Sequence, residues 1–514
     1  MPEIVLATLN ARYLHAAFGL RCLRANLGEW RPRSALAEFT ITQRPIEIAE
    51  ELLALQPRIL GLGVYIWNVG PTTELVALLK RLRPGLVIIL GGPEVSYEYD
   101  QQEIVRLADH VITGEADLAF AEVCRQILSG GPPAPKVIPA PPPDLAQIAL
   151  PYDEYTAEDI AHRLVYVEAS RGCPFECEFC LSSLDVPVRA FPLEPFLGAL
   201  EQLRARGVRH FKFVDRTFNL NLETSRSILD FFLARLEPGL FVHFEMVPDR
   251  LPAALREPIA RFPAGTLQLE VGVQTFNPAV AVAIHRRQDY ERLDNHLRFL
   301  REHTGAHVHA DLIAGLPGES LDSFAAGFDR LVALRPQEIQ VGLLKRLRGT
   351  PIVRHDAEWG MVYSPLPPYE ILQNRLIDFP AMQRVRRFAR DWDLVHNSGR
   401  FVETTPLFWA GAASPFAEFQ RFSDWFHLHE GRHHAIALPH LVEQIFGFLT
   451  QERGLPPVTV AAALARDARR TGQKELTPSV RAHLPADDVG ARSVRPPTHG
   501  HTRRQARHRG STPA

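Results

Sequence analysis

The chain has little cysteine and methionine, with five and four among its 514 residues. An odd number of cysteines, three of them close together, does not form the paired framework of a small secreted domain. No apolar run reaches the ~18 residues of a membrane-spanning helix, and the first residues lack the pattern of a signal peptide. A net charge of -2 predicts no nucleic-acid partner. We therefore expect a cytoplasmic protein without a membrane or nucleic-acid partner.

The first 131 residues alternate apolar β-rich runs with amphipathic helical stretches. The runs are IVLATL from Ile4, SALAEFTI from Ser34, RILGLGVYIW from Arg58, GLVIILGG from Gly85 and HVITGEAD from His110. This order predicts an α/β fold, a doubly wound Rossmann-like domain over residues 1–131, with ligands beyond the carboxyl ends of the strands. Four residues in the last part of the fourth and fifth runs lie at that edge: Gly91, Gly92, Gly114 and Glu115.

The rest of the chain divides by composition. Residues 132–158 are proline-rich, as in PPAPKVIPAPPPD, and predict an extended linker. Six further apolar runs over residues 159–347 predict a partial (β/α)6 TIM-like barrel, with its chemistry at the carboxyl ends of the strands. Residues 348–470 predict a mostly helical region. Residues 471–514 end in a stretch with arginine and proline but no acid after Asp488, which predicts disorder.

Three of the five cysteines, Cys173, Cys177 and Cys180, stand in SRGCPFECEFC with the spacing C-x3-C-x2-C, just after the first barrel run. Three thiolates on one short loop can hold three irons of a cubane [4Fe-4S] cluster and leave the fourth iron open for a non-protein ligand, whereas electron-transfer clusters normally use four cysteines. A structural zinc site would also need four ligands. The spacing therefore predicts an open iron–sulfur site; three incidental buried thiols are the alternative.

This motif, with aromatic Phe179 before its last cysteine, resembles that of the radical S-adenosylmethionine (SAM) superfamily. In that family the open iron binds the amino and carboxylate groups of SAM, and one electron from the cluster releases a 5′-deoxyadenosyl radical. FEMVP, VGVQTFNP and HADLIAGLPGE are similar to later motifs of the oxygen-independent coproporphyrinogen dehydrogenase branch. The resemblance implies SAM contacts at Phe179, Asp215, Glu245, Gln274, Asp311 and the backbone around Leu316. The alternative for each polar residue is a strand-end side chain satisfied by a neighbouring loop.

A doubly wound domain ahead of such a barrel is similar to the cobalamin-binding radical SAM class. LGGPEVS and ITGEAD match turns of that class, so the resemblance implies that cobalamin contacts Gly91, Gly92, Gly114 and Glu115. YLHAAFG departs from the D-x-H-x-x-G motif of many cobalamin domains, because Tyr13 replaces the aspartate. Without that carboxylate we expect His15 to be a cap or packing residue and not a cobalt ligand. A degenerate domain that binds no corrin is the alternative.

Taken together, the resemblance implies a cobalamin-dependent radical SAM enzyme, foremost a methyltransferase that acts on an unactivated carbon. Its cofactors would be a [4Fe-4S] cluster, SAM and cobalamin. Its partners would be a low-potential electron donor of the flavodoxin or ferredoxin type and a substrate that the sequence does not identify. Two alternatives stay open. One is a radical cyclase or rearrangement enzyme, which would form no S-adenosylhomocysteine, and the other is a non-enzymatic iron–sulfur sensor or electron carrier.

Overall fold

The computed structural model of the chain describes residues 1–184, 187–430, 436–473, 475–484 and 503–508. They fall into two compact units. Unit 1 consists of residues 1–216, 345–354 and 363–370, and unit 2 of the described residues in 217–344, 355–362 and 371–514. No helix among the described residues has both the length and the apolar character needed to cross a bilayer.

Unit 1 begins with a parallel sheet of six strands in the order β2-β1-β3-β4-β5-β6. The strands are β1 (Ile4–Asn10), β2 (Ser34–Thr40), β3 (Ile59–Gly63), β4 (Val87–Gly91), β5 (His110–Gly114) and β6 (Val137–Ala140). The helices are α1 (Phe18–Ala25), α2 (Pro45–Ala54), α3 (Val69–Leu82), α4 (Glu103–Leu107) and α5 (Asp117–Leu128). The predicted doubly wound domain is confirmed. Its strand order reverses between β1 and β3, which is where such sheets bind ligands.

Strand β1 is buried along its whole length because helices cover both faces of the sheet. Val5 and Leu9 pack into the core formed with α2 and α3. Ile4 and Leu6 point to the opposite face and pack with α1 and α5. This two-sided burial explains why the first run of the sequence is continuously apolar and does not alternate.

The proline-rich segment 132–158 differs from the linker that its composition predicts. Val137–Ala140 forms β6 and pairs in parallel with β5, with Ile138 opposite Ile112. A proline-rich chain is already extended, and an edge strand tolerates Pro139 because one of its sides has no neighbouring strand. Composition alone therefore hid the sixth strand of the sheet.

The remainder of unit 1 carries the cysteine motif. Its elements are α6 (Ala157–His162), β7 (Val165–Val167), β8 (Ser170–Arg171), β9 (Arg189–Ala190), α7 (Leu193–Ala205) and β10 (His210–Phe213). Strands β7 and β10 pair in parallel, with Lys212 opposite Tyr166. Strands β8 and β9 pair antiparallel, so the ends of the segment that contains the three cysteines lie side by side.

Unit 2 continues the β/α alternation. Its elements are α8 (Leu222–Leu233), β11 (Phe241–Met246), α9 (Ala253–Arg261), β12 (Leu267–Gln274), α10 (Pro278–Ala283), α11 (Tyr290–His303), β13 (His307–Ala314), α12 (Leu321–Leu334) and β14 (Glu338–Leu343). Strands β11 to β14 form neighbouring parallel pairs. Strands β7 and β10 to β14 coincide with the six runs that the sequence assigns to the partial barrel, so the β/α pattern is confirmed.

The region after β14 is mostly helical, as predicted. Its elements are α13 (Asp356–Trp359), β15 (Val362–Tyr363), β16 (Ile371–Gln373), α14 (Phe379–Trp392), α15 (Pro415–His429), α16 (Leu438–Gly447), α17 (Pro457–Thr471), α18 (Pro478–Ala482) and α19 (Arg503–Arg507). Helices α14 and α15 pack through aromatic rings, with Trp392 fully buried and 4.9 Å from the Phe419 ring.

The described parts of residues 471–514 differ from the disorder that their composition predicts. Helix α19 buries Ala506, and Arg504 Nε lies 2.8 Å from a Glu338 carboxylate oxygen. Arginine can therefore hold a short helix through ion pairs where few apolar side chains are present. The rest of this predicted tail lies outside the described residues.

Gly92, directly after β4, offers a test of the sheet edge. Its φ is +108°, and a Cβ atom there would lie 2.5 Å from the Val64 carbonyl oxygen. We expect Gly92→Ala to lower the free energy of unfolding by about 2–3 kcal/mol, because strain and a backbone clash add together. Gly85→Ala is the matched control, since no atom lies within 4 Å of its Cβ position. Urea unfolding measures both; equal midpoints would contradict this account of the turn.

Candidate active site

The three cysteines lie on one loop of unit 1 between β8 and β9. Cys173 and Cys177 are buried and Cys180 is half-buried. Gly172 has a φ of +92°, so the chain turns sharply just before Cys173. The Cys180 N–H donates to the Cys177 carbonyl oxygen at 3.0 Å, which closes a tight turn between the last two thiols. Three thiols on one loop are the donors that an open-iron [4Fe-4S] cluster uses.

Thiolates are the donors that a [4Fe-4S] cluster takes. Among the described residues, no three histidine, cysteine, aspartate or glutamate side chains converge as one metal ion would require. A cubane presents a separate iron to each thiolate, so its ligands need not meet at a point.

Hydrogen bonds and an ion pair hold the loop from both sides of its cysteines. The Glu178 carboxylate is buried and lies 2.5 Å from an Arg354 guanidinium nitrogen. The Ile352 N–H donates to the Glu178 carbonyl oxygen at 3.1 Å. On the other side, the Ser183 hydroxyl donates to the Cys180 carbonyl oxygen at 2.6 Å. The backbone between Cys177 and Cys180 is therefore fixed by distant Ile352 and Arg354 and by nearby Ser183.

Arg171, two residues before Cys173, is the centre of a partly buried cluster of charges. Its guanidinium nitrogens lie 2.9 Å from Glu115, 2.8 Å from Asp117 and 2.9 Å from Glu168. The segment that leads to the cysteines is thereby joined to the turn after β5. Burial raises the pKa of Glu168 to about 7 although Arg171 opposes this shift. Sequence reasoning did not single out Arg171 or Glu168; the only signal was their position beside the motif.

Asp215 is buried at the end of β10 and both of its carboxylate oxygens accept hydrogen bonds. The donors are the Ala169 N–H at 3.0 Å and the Ser170 hydroxyl at 2.6 Å. Burial raises the pKa of Asp215 to about 6. This geometry positions the segment ahead of Cys173. The contact between Asp215 and the SAM amino group stays a prediction, as does the SAM contact of half-buried Phe179.

A cavity of about 380 Å³ lies in unit 1 above the carboxyl ends of β3, β4 and β5. The four residues predicted to contact cobalamin line it, together with Arg171 and Gly172 from the cysteine segment: Gly91, Gly92, Gly114 and Glu115. Because glycines form much of this edge, few side chains fill the space above it, which suits a flat cofactor. Glu115 is already paired with Arg171 and Arg189. The cobalamin contacts themselves stay predictions.

His15 does not line this cavity. Its Nδ1 atom lies 2.6 Å from the Tyr166 hydroxyl oxygen. Burial and nearby Lys212 lower the pKa of His15. These contacts agree with the packing role expected for His15 where Tyr13 replaces the aspartate of the motif.

Unit 2 carries the remaining predicted SAM contacts on or just after its strands. Glu245 lies on β11, opposite Glu270 of β12, and Asp311 lies on β13, opposite Gly272. Gln274 follows a register shift at Gly272 and has a φ of +69°, so this bulge redirects its side chain. Leu316 is buried in the glycine-rich turn after β13.

The sheet of unit 2 has one polar face, where a TIM barrel interior usually holds valine, isoleucine and leucine. His243 lies 2.9 Å from Glu270, and His309 lies 3.2 Å from Asp311. Burial opposes the charged form of His309, but the Asp311, Glu338 and Glu270 carboxylates raise its pKa to about 9. Sequence reasoning missed His243, Glu270 and His309. The alternation of polar and apolar residues in HVHADLIA was the available signal.

Glu319 joins two of the motifs that the sequence singles out. Its carboxylate accepts a hydrogen bond from the Thr275 hydroxyl at 2.6 Å, so GLPGE is tied to VGVQT. The side chain is 1% exposed. Burial raises the pKa of Glu319 to about 7. It is a positioning residue that the motif contained but the sequence did not distinguish.

Glu319 predicts a specific pH dependence of stability. A carboxyl whose pKa rises from 4.5 to about 7 on folding stabilises the fold fully below pH 4.5 and loses this contribution as pH rises through 7. The loss is up to about 3 kcal/mol. We expect Glu319→Gln to reduce the fall in melting temperature between pH 5.5 and pH 8, whereas exposed Glu302→Gln should not. Parallel pH profiles for wild type and Glu319→Gln would contradict the assignment.

Glu178 offers a test of the cysteine loop itself. We expect Glu178→Gln to speed iron loss to a chelator several-fold, because the ion pair with Arg354 no longer holds the loop. The control is Glu176→Gln, because Glu176 lies in the same loop but its side chain is exposed. This variant should release iron at the wild-type rate. Anaerobic absorbance at the cluster band follows the loss. Equal rates in the two variants would show that the loop does not depend on this ion pair.

Comparison with known protein families assigns three segments of the chain. The B12 binding domain matches residues 4–124, and the Radical SAM superfamily matches residues 167–331. A family described as Protein of unknown function (DUF4080) matches residues 357–483. The first two matches agree with the doubly wound domain and the β/α series that follows it.

Several curated relatives of the chain are named as methyltransferases. An uncharacterized methyltransferase of Pyrococcus horikoshii is 24% identical over 319 residues, which are 54% of this chain and 65% of that protein. The cobalamin-dependent radical SAM methyltransferase TokK of Streptomyces tokunonensis is 25% identical over 339 residues, which are 58% of this chain and 48% of that protein. The matched region thus spans about half to two thirds of each relative.

Among solved structures, the chain is similar to the cobalamin-dependent SAM radical enzyme OxsB, whose structure holds aqua-cobalamin and SAM. The similarity has a TM-score of 0.62 at 13% identity and covers 96% of this chain and 85% of that one. At this identity the comparison shows the fold.

Proposed function

We propose that this chain, which contains a B12-binding domain followed by a radical SAM domain, is a cobalamin-dependent methyltransferase that acts on an unactivated carbon. The observation that carries the proposal is the cavity of unit 1. The glycine turns of the B12-binding domain and the residues just before Cys173 line the same space. A methyl source and a radical source would therefore reach one substrate from neighbouring positions.

The cofactors supply the difficult chemistry: when bound, the [4Fe-4S] cluster, SAM and cobalamin provide the radical and the methyl group. The protein supplies placement. Cys173, Cys177 and Cys180 would hold three irons of the cluster, and the Glu178–Arg354 ion pair holds the loop between them. The ion pair between Arg171 and Glu115 joins the segment before the cysteines to the turn after β5. It would therefore set the distance between the cluster site and the cobalamin site.

SAM itself would be oriented by side chains whose contacts we infer from the family's motifs. Glu245 and Asp311 offer carboxylates that suit the ammonium group and the ribose hydroxyls of SAM. Gln274 offers both a donor and an acceptor. The backbone around Leu316 would flank the adenine. The polar face between these residues supports the assignment, because a polar ligand needs hydrogen-bond partners inside a barrel.

Radical SAM enzymes need a reductant, and we propose a low-potential flavodoxin or ferredoxin as the donor here. Three thiolate ligands also need a reducing compartment, which the cytoplasm provides. The named methyltransferases among the relatives favour methylation over cyclisation or rearrangement.

The test is made anaerobically on cluster-loaded protein with SAM, a low-potential reductant and hydroxocobalamin. We expect both 5′-deoxyadenosine and S-adenosylhomocysteine by mass spectrometry, because methylation consumes SAM in two ways. Cys177→Ala should abolish deoxyadenosine, whereas Cys124→Ala, which changes a buried cysteine away from the motif, should retain it. Deoxyadenosine without S-adenosylhomocysteine would indicate that the enzyme catalyses a rearrangement and not a methylation. Neither product from a fully loaded cluster would contradict the enzyme assignment.

A further inference from the structure

Unit 2 contains a cavity of about 610 Å³ at the amino end of β14. The predicted SAM contacts on or beyond the unit 2 strands lie toward the opposite, carboxyl end of the sheet. We call this space the base cavity; residues that define it are Arg301, Arg335, Pro336, His396, Thr405 and Trp409. Its volume lies in the range of small-molecule sites, and neither the motifs nor the family matches account for it.

The base cavity has an excess of positive charge. Arg301 is half-buried and Arg335 is exposed, and neither guanidinium has an ion-pair partner among the described residues. Burial and Arg335 lower the pKa of Arg301. The one acid among the described lining residues is Asp329, whose carboxylate already accepts the Phe416 N–H at 2.6 Å. A partly desolvated guanidinium without a counter-ion is unfavourable, and an anionic ligand would remove that cost.

Arg335 stands where a helix usually ends in glycine. It follows the last residue of α12 with a φ of +57° and a ψ of +44°, the left-handed conformation. This conformation costs energy for a residue with a side chain, and such outliers concentrate at functional sites. Glycine would be more stable in this conformation, so the presence of arginine favours a functional role for its side chain.

The base cavity also presents aromatic rings. His396 lies in a π-helical turn, Asp393–Asn397, of the kind that often marks a functional site. Its ring stacks on Trp392 at 4.3 Å, and its Nε2 atom is buried without a hydrogen-bond partner among the described residues. Trp409 also stacks on Trp392, with the ring centroids 5.9 Å apart, and lines the same space. A flat ligand could stack here and bond to the imidazole.

We propose that the base cavity binds a small planar anion, in which a carboxylate or a phosphate is attached to a flat ring. Arg301 and Arg335 hold the anionic group, because a guanidinium donates two parallel hydrogen bonds to either oxyanion. Trp409 contacts the ring, and His396 Nε2 bonds to a polar atom of the ligand. This site lies apart from the predicted radical chemistry and goes beyond the proposed methyl transfer.

The experiment is isothermal titration of the full, cluster-loaded chain with two probes that share this chemistry. Indole-3-acetate carries a carboxylate and adenosine 5′-monophosphate carries a phosphate; indole-3-acetamide and adenosine are the uncharged counterparts. We expect at least one anionic probe to bind with a Kd of about 1 mM or tighter, and its uncharged counterpart to bind at least tenfold more weakly. The probe that binds identifies which oxyanion the site prefers.

Two variants connect binding to the named residues. Arg301→Gln should weaken the anionic probe at least tenfold, whereas Arg298→Gln, on the same helix but exposed and paired with Asp294, should not. Arg335→Gly should raise the melting temperature, because glycine suits the left-handed conformation, and at the same time weaken binding. If Arg335 had only a structural role, a substitution that raises the melting temperature would not weaken binding of the probe.

The proposal fails if neither anionic probe binds the wild-type chain with a Kd near 1 mM. It also fails if the Arg301→Gln and Arg335→Gly variants both bind the probe as tightly as wild type. No turnover is measured, so this failure is distinguishable from failure of the proposed methyltransferase activity.

Discussion

A loop that gives three thiolates to one cluster and leaves an iron open must be held still by something other than the cluster. In unit 1 that task falls to buried charge and hydrogen bonding. Arg171, two residues before Cys173, forms ion pairs with three carboxylates. Asp215 accepts hydrogen bonds from Ala169 and Ser170, which precede Arg171. The Glu178–Arg354 ion pair holds the loop after Cys177. Because Arg171 pairs with Glu115 and Asp117 of the N-terminal domain, the predicted cobalamin edge and the cysteine segment are joined by the same charged cluster.

Pairing of buried charges also explains the polar face of unit 2. A barrel interior filled by apolar side chains is stable but has no room for a polar ligand. Here histidines and acids compensate one another in pairs, such as His243 with Glu270 and His309 with Asp311. The fold thus keeps charged groups on the sheet as compensated pairs, because an unpaired buried charge would be costly.

The fold was largely predictable because each parallel strand is a buried apolar run and each connection a helix. β6 was missed because a proline-rich strand resembles a linker, and α19 because ion pairs hold it where apolar burial is small. The three clustered cysteines are visible in the sequence from their spacing, and their role as cluster ligands stays a prediction. Arg171, Glu168 and Glu319 could not, because their roles depend on partners up to 56 residues away, which no local pattern reveals. The base cavity had no sequence signal, since its arginines, histidine and tryptophan meet only in the folded unit.

The central claim is that three cysteines leave one iron open for SAM. Electron paramagnetic resonance of the reduced cluster tests it most directly, with and without SAM whose carboxylate carries a magnetic oxygen isotope. The account predicts that SAM shifts the g values and that the labelled carboxylate broadens the signal, because its oxygen binds iron. A spectrum that SAM leaves unchanged, from a cluster with full iron content, would contradict it.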